Sequence, residues 1–267
     1  MGNGMSNFTD FIGGGGGGSL PVNIALTESQ TWVPPVDGNI CIHVIGAGGG
    51  GIGSDSGGGG GAGGYCKKNS LAVTTSGSFT VVIGSGGLGS VNKATASNGG
   101  NSTVAGTGLS ATLTANGGTG PANNANGQGG TASNGDVNNT GGQGGWFGGG
   151  AVGVYRSNSA NSQTTQRGAG ESSDALGDPA LMGYGYIVGG QGGKTCMNDL
   201  SKTGDSQNGG FLAGGGSMFG GGAAYQSWGG DGGVGGGGGM GYKTSNFQVA
   251  YGGTGGDGIV IIQYLPA

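Results

Sequence analysis

The sequence predicts an all-β to irregular fold. A β-sandwich-like framework, built from strands near the two ends of the chain, carries a bundle of glycine-rich polyproline-II-type helices, and α-helix is almost absent. Three observations predict this. Glycine fills 79 of the 267 positions, where an ordinary chain has about 7%. Apolar, β-branched runs of strand length lie toward both ends. Between them, few windows place apolar residues at a 3.6-residue period, and strong helix formers are scarce.

Glycine loses more backbone freedom on folding than any other residue. A chain this rich in it must therefore gain from close backbone approach, repeated many times. Collagen is excluded, because it needs glycine at every third position and abundant proline. Here there are 6 prolines, and the glycines cluster, as at 13–18, 57–61 and 235–239. A flexible Gly/Ser linker does not predict the Trp, Phe, Tyr, Met and Val that recur between the clusters. An ordered alternative is a polyproline-II-like helix, with three residues per turn, a rise of about 3.1 Å per residue and no internal hydrogen bonds. Its N–H and C=O groups need partners. Parallel and antiparallel copies packed side by side supply them, and only glycine lets backbones come that close on every side.

In chain order, residues 1–20 read as an attachment segment. Asn7 to Ile12 form a short apolar patch followed by the glycines at 13–18. The patch is too short to fold alone, and it is expected to dock on a partner through Phe8, Phe11 and Ile12. Residues 21–90, together with 250–267, read as the β-framework. One strand ends at Thr31-Trp32-Val33-Pro34-Pro35, and Pro34 to Gly38 is a turn. Asn39 to Ile45 is a mostly apolar, β-branched run. Tyr65 to Thr75 and Ser78 to Ile83 give two more strands, with Ser76-Gly77 expected as a hairpin turn between them. Gly258 to Tyr264 is the strongest strand signal, and the two ends of the chain are expected to pair in one sheet. Residues 91–249 read as the bundle, with polar or aromatic pieces between the glycine-rich ones forming display loops at its ends.

The net charge is -4, and the Lys and Arg residues form no run longer than Lys67-Lys68. That argues against nucleic-acid binding. The cysteines are Cys41, Cys66 and Cys196, an odd number without the close spacing of a disulfide framework or a zinc site. His43 is the sole histidine, so no metal and no cofactor are expected. The chain has no apolar stretch of membrane-spanning length, and membrane insertion is not expected. A basic-then-apolar signal pattern is missing at the N-terminus, so synthesis in a cytoplasm is the expectation.

Several motifs invite a chemical reading. Gly46 to Gly51 satisfies G-x-G-x-x-G directly after a strand, the dinucleotide fingerprint. A helix should follow, but Ile52 to Ser56 and more glycines do instead, and Lys67 and Lys68 stand where an acidic residue should hold the ribose. Gly189 to Thr195 resembles a phosphate loop, with Val188 at its first glycine position. Gly252 to Val260 fits one calcium β-roll nonapeptide. That site needs stacked repeats to share the ion, so Asp257 reads as a turn residue. A Ser-His-Asp triad would have to use His43, which sits in mid-strand among apolar neighbours. The 12 acidic residues are scattered, with no pair that stands out for glycosidase work. The expectation is a non-enzymatic protein with no catalytic residues.

The motifs gain meaning as an ordered set. Thr31 to Pro35 is followed by Ile42 to Gly51, then Gly60 to Tyr65, then Phe79 to Gly87, then a repeat-like stretch from Gly129 to Gly142, and last Gly255 to Ile262. Together they resemble the glycine-rich domains of phage tail proteins, over nearly the whole chain after residue 28. The resemblance implies a β-framework carrying polyglycine-II helices. The middle is similar to the distal adhesins of T-even-like tail fibres, in which glycine-rich motifs alternate with variable receptor-binding loops. This chain departs from them in having only about 20 residues before its first strands, where those adhesins carry a large docking domain. Glycine-rich domains of some animal receptors and insect antifreeze proteins share the bundle, so the bundle alone does not fix the function.

The resemblance implies a tail-fibre tip adhesin in the phage virion. Its partners would be a bacterial surface receptor, either an outer-membrane protein or a polysaccharide, and other tail-fibre subunits. Fibre tips are commonly trimeric, so a homotrimer is an expectation. Aromatic residues and Arg on loops of a rigid base serve as binding anchors. The receptor-contact candidates are Tyr155, Arg156, Met182, Tyr184, Tyr186, Met218, Phe219, Tyr225, Trp228, Tyr242 and Phe247. The contrary reading packs these side chains on the flanks of the bundle or against neighbouring subunits. The competing functions are a purely structural virion protein and an ice-binding or matrix protein. The last would need a flat, regular, threonine-rich face.

Overall fold

The computed structural model describes residues 23–54, 58–92, 94–122, 125–145, 148–150, 152, 224–225, 228–242 and 249–265. Among these there is no α-helix. Two antiparallel five-stranded sheets form a sandwich. The first sheet has β1 (Asn23–Leu26), β14 (Ile259–Tyr264), β3 (Gly38–Ile45), β5 (Tyr65–Val73) and β10 (Val137–Asn139), side by side in that order. The second has β2 (Gln30–Trp32), β6 (Phe79–Val82), β7 (Ser102–Gly106), β8 (Leu113–Ala115) and β9 (Ala132–Ser133). As expected, the two ends of the chain pair: β14 lies between β1 and β3, with Ile262 opposite Ile24 and Ile42.

Strand alternation builds the core. Ile40, Ile42 and Val44 of β3 and Val260, Ile262 and Tyr264 of β14 point at Trp32, Phe79, Val81, Val104 and Leu113 of the second sheet, all buried. Burying one such side chain fully is worth about 1.5–3 kcal/mol, and Trp32 and Phe79 add a tilted ring contact at 5.5 Å. The other face of the first sheet is buried too. There Ile45, Tyr65, Ile259 and Ile261 pack with Ala62 and Val152 of the bundle side. That explains why β14 reads as a continuous apolar run rather than an alternating one.

The turn at Ser76-Gly77 is real, with the Gly77 amide donating to Thr74 O at 2.8 Å, but it does not make a hairpin. β5 and β6 belong to different sheets, so this turn carries the chain across the sandwich. Both strands have alternating buried positions, and that pattern is the same whether a partner strand lies beside them or across the core.

Glycine segments run out of the strands and form the bundle, with hydrogen bonds that repeat every three residues. In segment 46–53, the amides of Gly46, Gly49 and Ile52 donate to Gly64, Gly61 and Gly58. Those of Ala47 and Gly50 donate to Gly100 and Ser97, and those of Gly48 and Gly51 to Gly256 and Gly253. Three further neighbours donate back: Gly87 and Ser90 to Gly48 and Gly51, Gly238 and Gly241 to Gly49 and Ile52, and Gly118 to Ala47. A helix with three residues per turn, hydrogen-bonded to six neighbours, is the polyglycine-II arrangement, and segment 46–53 is at its centre. Segment 58–64 has the same environment: it donates to 142–145, 235–238 and 116–119, and it accepts from 46–52, 127–130 and 150.

Glycine is required by close approach. A Cβ on Gly48 would lie 1.9 Å from Gly236 O, far inside van der Waals contact. Gly58 also has φ +130, and a Cβ there would lie 1.9 Å from Cγ2 of the buried Ile52. At the rim, where an amide has no neighbouring helix, side chains supply the acceptor. Asn101 and Asn98 Oδ1 take the amides of Gly117 and Gly120, and Asp257 Oδ1 takes that of Gly86. The Asn and Asp residues scattered between glycines thus complete the backbone bonding. The same accounting removes the dinucleotide reading of Gly46 to Gly51, since every amide from 46 to 51 donates to a backbone carbonyl.

Candidate functional site

The strands give the bundle a direction. β3 leads into Gly46, Gly64 leads into β5, and Gly258 leads into β14, so these positions lie next to the sandwich. Ser54, Gly58, Val91 and Tyr251 lie at the opposite, distal end. The short strands gather there as well. β13 (Gly241–Tyr242) pairs in parallel with β4 (Gly53–Ser54), β11 (Ala224–Tyr225) pairs with β12 (Trp228–Gly229), and β13 packs on both β11 and β12.

At this end Trp228 is 55% exposed. Its ring stacks on Tyr251 at 4.4 Å with an interplanar angle of 15°, so one face of the aromatic pair is closed by its partner. Tyr251 bridges by its backbone to both Trp228 and Val91, and Val91 and Val249 are exposed. Trp228, Val91 and Val249 thus place exposed apolar groups at this end of the bundle. Asn92 holds the turn behind it: its Oδ1 accepts from the Ala250 amide at 3.0 Å, and its own amide donates to Ala250 O.

The surface continues toward the sandwich as a ledge of three rods side by side, with 84–90 antiparallel to the other two. Segment 251–258 bonds to 84–90 on one side (Gly252, Gly255 and Gly258 donate to Ser90, Gly87 and Gly84). On its other side it accepts from 228–235 (Gly229, Gly232 and Gly235 donate to Tyr251, Thr254 and Asp257). Every third residue of each rod carries a side chain outward. Across the ledge, Val91, Tyr251 and Trp228 form the distal row, and Leu88, Thr254 and Asp231 form the next. The exposed Asp231 carboxylate accepts the Thr254 amide at 2.6 Å, which fixes it one turn below the indole.

The sequence-predicted contact residues divide accordingly. The structure brings Tyr225, Trp228 and Tyr242 to one end of the bundle. Tyr155, Arg156, Met182, Tyr184, Tyr186, Met218, Phe219 and Phe247 lie outside the described residues, as do the attachment candidates Phe8, Phe11 and Ile12. Sequence reasoning missed Tyr251, Val91 and Asp231. The signal was present as a three-residue spacing: Trp228 and Asp231 on one rod, and Tyr251, Thr254 and Asp257 on the next.

Other polar groups are structural in their settings. His43 is fully buried in β3, with Nδ1 2.7 Å from the Tyr65 hydroxyl and Nε2 3.3 Å from Cys41 Sγ. Cys66 is also buried, and its thiol donates to Ser133 O. Desolvation pushes its pKa up to about 11. On the sandwich surface Lys68 Nζ meets Asp136 at 2.8 Å. That hydrogen bond, helped by the Asn69 amide, holds the Asp136 carboxyl below its ordinary value. Asp257, read from sequence as a turn residue, caps the Gly86 amide.

Fold and tip define a class: a β-sandwich from which a polyglycine-II bundle projects, with aromatic side chains at its far end. The model of the glycine-rich domain family matches residues 24–265, and the chain belongs to that family. No curated protein matches the sequence.

Proposed function

We propose that this protein is a non-enzymatic adhesin at the tip of a bacteriophage tail fibre, and that the distal end of its glycine bundle touches a receptor on the bacterial surface. The observation that carries this reading is the exposed Trp228 stacked on Tyr251, held at the end of backbone-bonded rods. A rigid base that carries aromatic anchors at its end fits recognition, because little conformational freedom is lost on binding. The ordered motif set that resembles phage tail proteins supplies the setting. In that setting the chain works in the virion, joins other fibre subunits through Phe8, Phe11 and Ile12, and assembles as a homotrimer. Staining a panel of bacterial strains with the labelled full-length protein tests the reading. Selective staining is expected. A folded protein that stains no strain, including the host of the phage that encodes it, would favour a purely structural virion role.

A second reading has an observation behind it on another face. The outer face of the second sheet sets Thr31 opposite Thr80 and Thr103 opposite Thr114, and threonine on an exposed sheet face is what an ice-binding protein would need. Thermal hysteresis in a freezing assay, lost on Thr80→Lys and Thr103→Lys, would support that reading; a freezing point equal to that of a control protein would remove it.

A further inference from the structure

We propose that the outward groove beside rods 95–101 and 116–121 is a docking site for a glycine rod of a second copy of this chain, and that Asn98 and Asn101 keep it closed. Nothing in this depends on a receptor at the tip.

The bonding of rod 116–121 defines the groove. Segment 46–53 has neighbours in six directions, and rod 116–121 has them in four. Its amides at Asn116 and Thr119 donate to Thr131 and Gln128, and that of Gly118 donates to Ala47. Its carbonyls at Asn116 and Thr119 accept from Gly64 and Gly61, and those of Gly118 and Pro121 accept from Gly99 and Ala96. In a helix of three residues per turn, the groups of Gly117 and Gly120 take the one donor and the one acceptor direction that remain. Both lead out of the bundle.

In the donor direction side chains stand in place of a rod. The Gly117 amide donates to Asn101 Oδ1 at 2.9 Å, and the Gly120 amide to Asn98 Oδ1 at 3.0 Å. The two asparagines lie three residues apart on the adjoining rod, and both are exposed, so they cover the groove with water beyond them. The pattern recurs on rod 84–90. There Ser29 Oγ takes the Ile83 amide, and Asp257 Oδ1 takes that of Gly86, three residues on.

Bonding alone does not call for asparagine, because water satisfies a surface amide. What the side chains change is access. A row of donors at fixed spacing is a template for another chain, as the open edge of a β-sheet is, and folded proteins cover such edges. The period selects the occupant. Donors here recur every third residue, about 9 Å apart. A β-strand repeats every second residue, and an α-helix bonds its own amides internally. A three-residue helix matches, and close approach demands that it be glycine: a Cβ on Gly117 would already lie 2.0 Å from Gly99 O of the adjoining rod. A second copy offers the same rim. Two copies related by a two-fold axis set the Gly117 and Gly120 amides of each against the outward carbonyls of the other.

The test follows association of the full-length protein by analytical ultracentrifugation over a range of concentrations. The parent is compared with Asn98→Ala plus Asn101→Ala and with Asn98→Asp plus Asn101→Asp. The alanine pair uncovers the row. It is expected to form larger species as concentration rises, while its circular dichroism spectrum stays that of the parent. The aspartate pair retains the acceptors and is expected to sediment like the parent. Hydrogen exchange places the contact. In the alanine pair, the Gly117 and Gly120 amides are expected to exchange at least about tenfold more slowly in concentrated than in dilute solution, as they gain backbone partners. If the alanine pair is unstable, Asn101→Ala alone uncovers Gly117 and gives the same readouts. A folded alanine variant that sediments like the parent at every concentration overturns the proposal. So does association in which Gly117 and Gly120 exchange as fast as in dilute solution, which puts the contact on another surface. An aspartate pair that associates as readily as the alanine pair overturns the role of the caps.

Discussion

If backbone approach rather than side-chain packing holds the bundle together, one methyl group at its centre should be ruinous. Gly48 tests this. A Cβ there would lie 1.9 Å from Gly236 O and 2.4 Å from Gly236 C, whereas carbon contacts settle at about 3.5 Å. Segments 46–53 and 235–241 must then part by about 1.5 Å. They are joined by Gly238 to Gly49 at 2.9 Å and Gly241 to Ile52 at 3.1 Å, and N–H···O bonds do not survive beyond about 3.2–3.5 Å. Gly236 cannot move freely either, because its carbonyl also takes the Gly256 amide at 2.8 Å. Each buried group left without a partner costs about 1–3 kcal/mol, and at least the donor and acceptor of one bond are stripped.

Gly48→Ala should therefore cost about 4 kcal/mol or more, much of the 5–15 kcal/mol that holds an ordinary domain together. Urea unfolding followed by far-ultraviolet circular dichroism measures it. The control is Gly38→Ala in β3, where a Cβ would meet only the Tyr264 ring at 3.4 Å. That variant should stay within about 0.5 kcal/mol of the parent or gain slightly, because alanine restricts the unfolded chain. If Gly48→Ala shifts the midpoint by less than about 1 kcal/mol at an unchanged slope, the close-packing argument is refuted.

The remaining predictions concern groups around this centre. Cys66 ordinarily ionises near 9.0 and in the fold only near about 11; the unfolded chain gives up the proton first, so stability is full below pH 9 and falls by about 1.4 kcal/mol per unit between the two values. Burial also raises the Tyr264 phenol, with the same sign, and a flat urea midpoint from pH 8 to 10.5 would contradict both. Asp257→Ala removes the acceptor of the Gly86 amide and should cost about 1 kcal/mol, while calcium or a chelator leaves the melting temperature unchanged; a calcium-dependent rise would revive the β-roll reading. In hydrogen exchange, the amides of Gly48 to Gly51, each bonded inside the bundle, should open only with global unfolding. Those of Gly86, Gly117 and Gly120, bonded to exposed side chains, should exchange faster.

The framework was legible because its signals are local. The run from Asn39 to Ile45 and the run from Gly258 to Tyr264 are β-branched and apolar over strand length, and they are the central strands β3 and β14. The sheet to which β6 belongs was not legible, because a buried strand has the same alternation in either layer of a sandwich. Glycine content gave the kind of helix, but not that segment 46–53 lies at the centre. Its neighbours come from residues as distant as 253 and 256, and glycine carries no side chain to mark which neighbour it meets. At the tip, Trp228 and Tyr242 stood out as aromatics amid glycine. Tyr251 was hidden by its nearness to the last strand, and its pairing with Trp228 follows only from the bond between Gly229 and Tyr251 O.

This division explains how one chain can be both rigid and variable. In an ordinary core, cohesion and sequence are tied together, because each buried side chain must fit its neighbours. In this bundle cohesion comes from amides and carbonyls, which every residue but proline possesses, and the sequence requirement reduces to glycine at the inward positions. Outward positions at every third residue, and turns at the far end, can then change without disturbing the bonds that hold the rods. Trp228→Ala should accordingly leave stability unchanged within about 0.5 kcal/mol, as surface substitutions usually do, while Gly48→Ala, one methyl added at the centre, costs about 4 kcal/mol or more. A surface free to vary on a base that cannot is what the proposed adhesin requires, since recognition must be able to follow a changing receptor while the fold stays fixed.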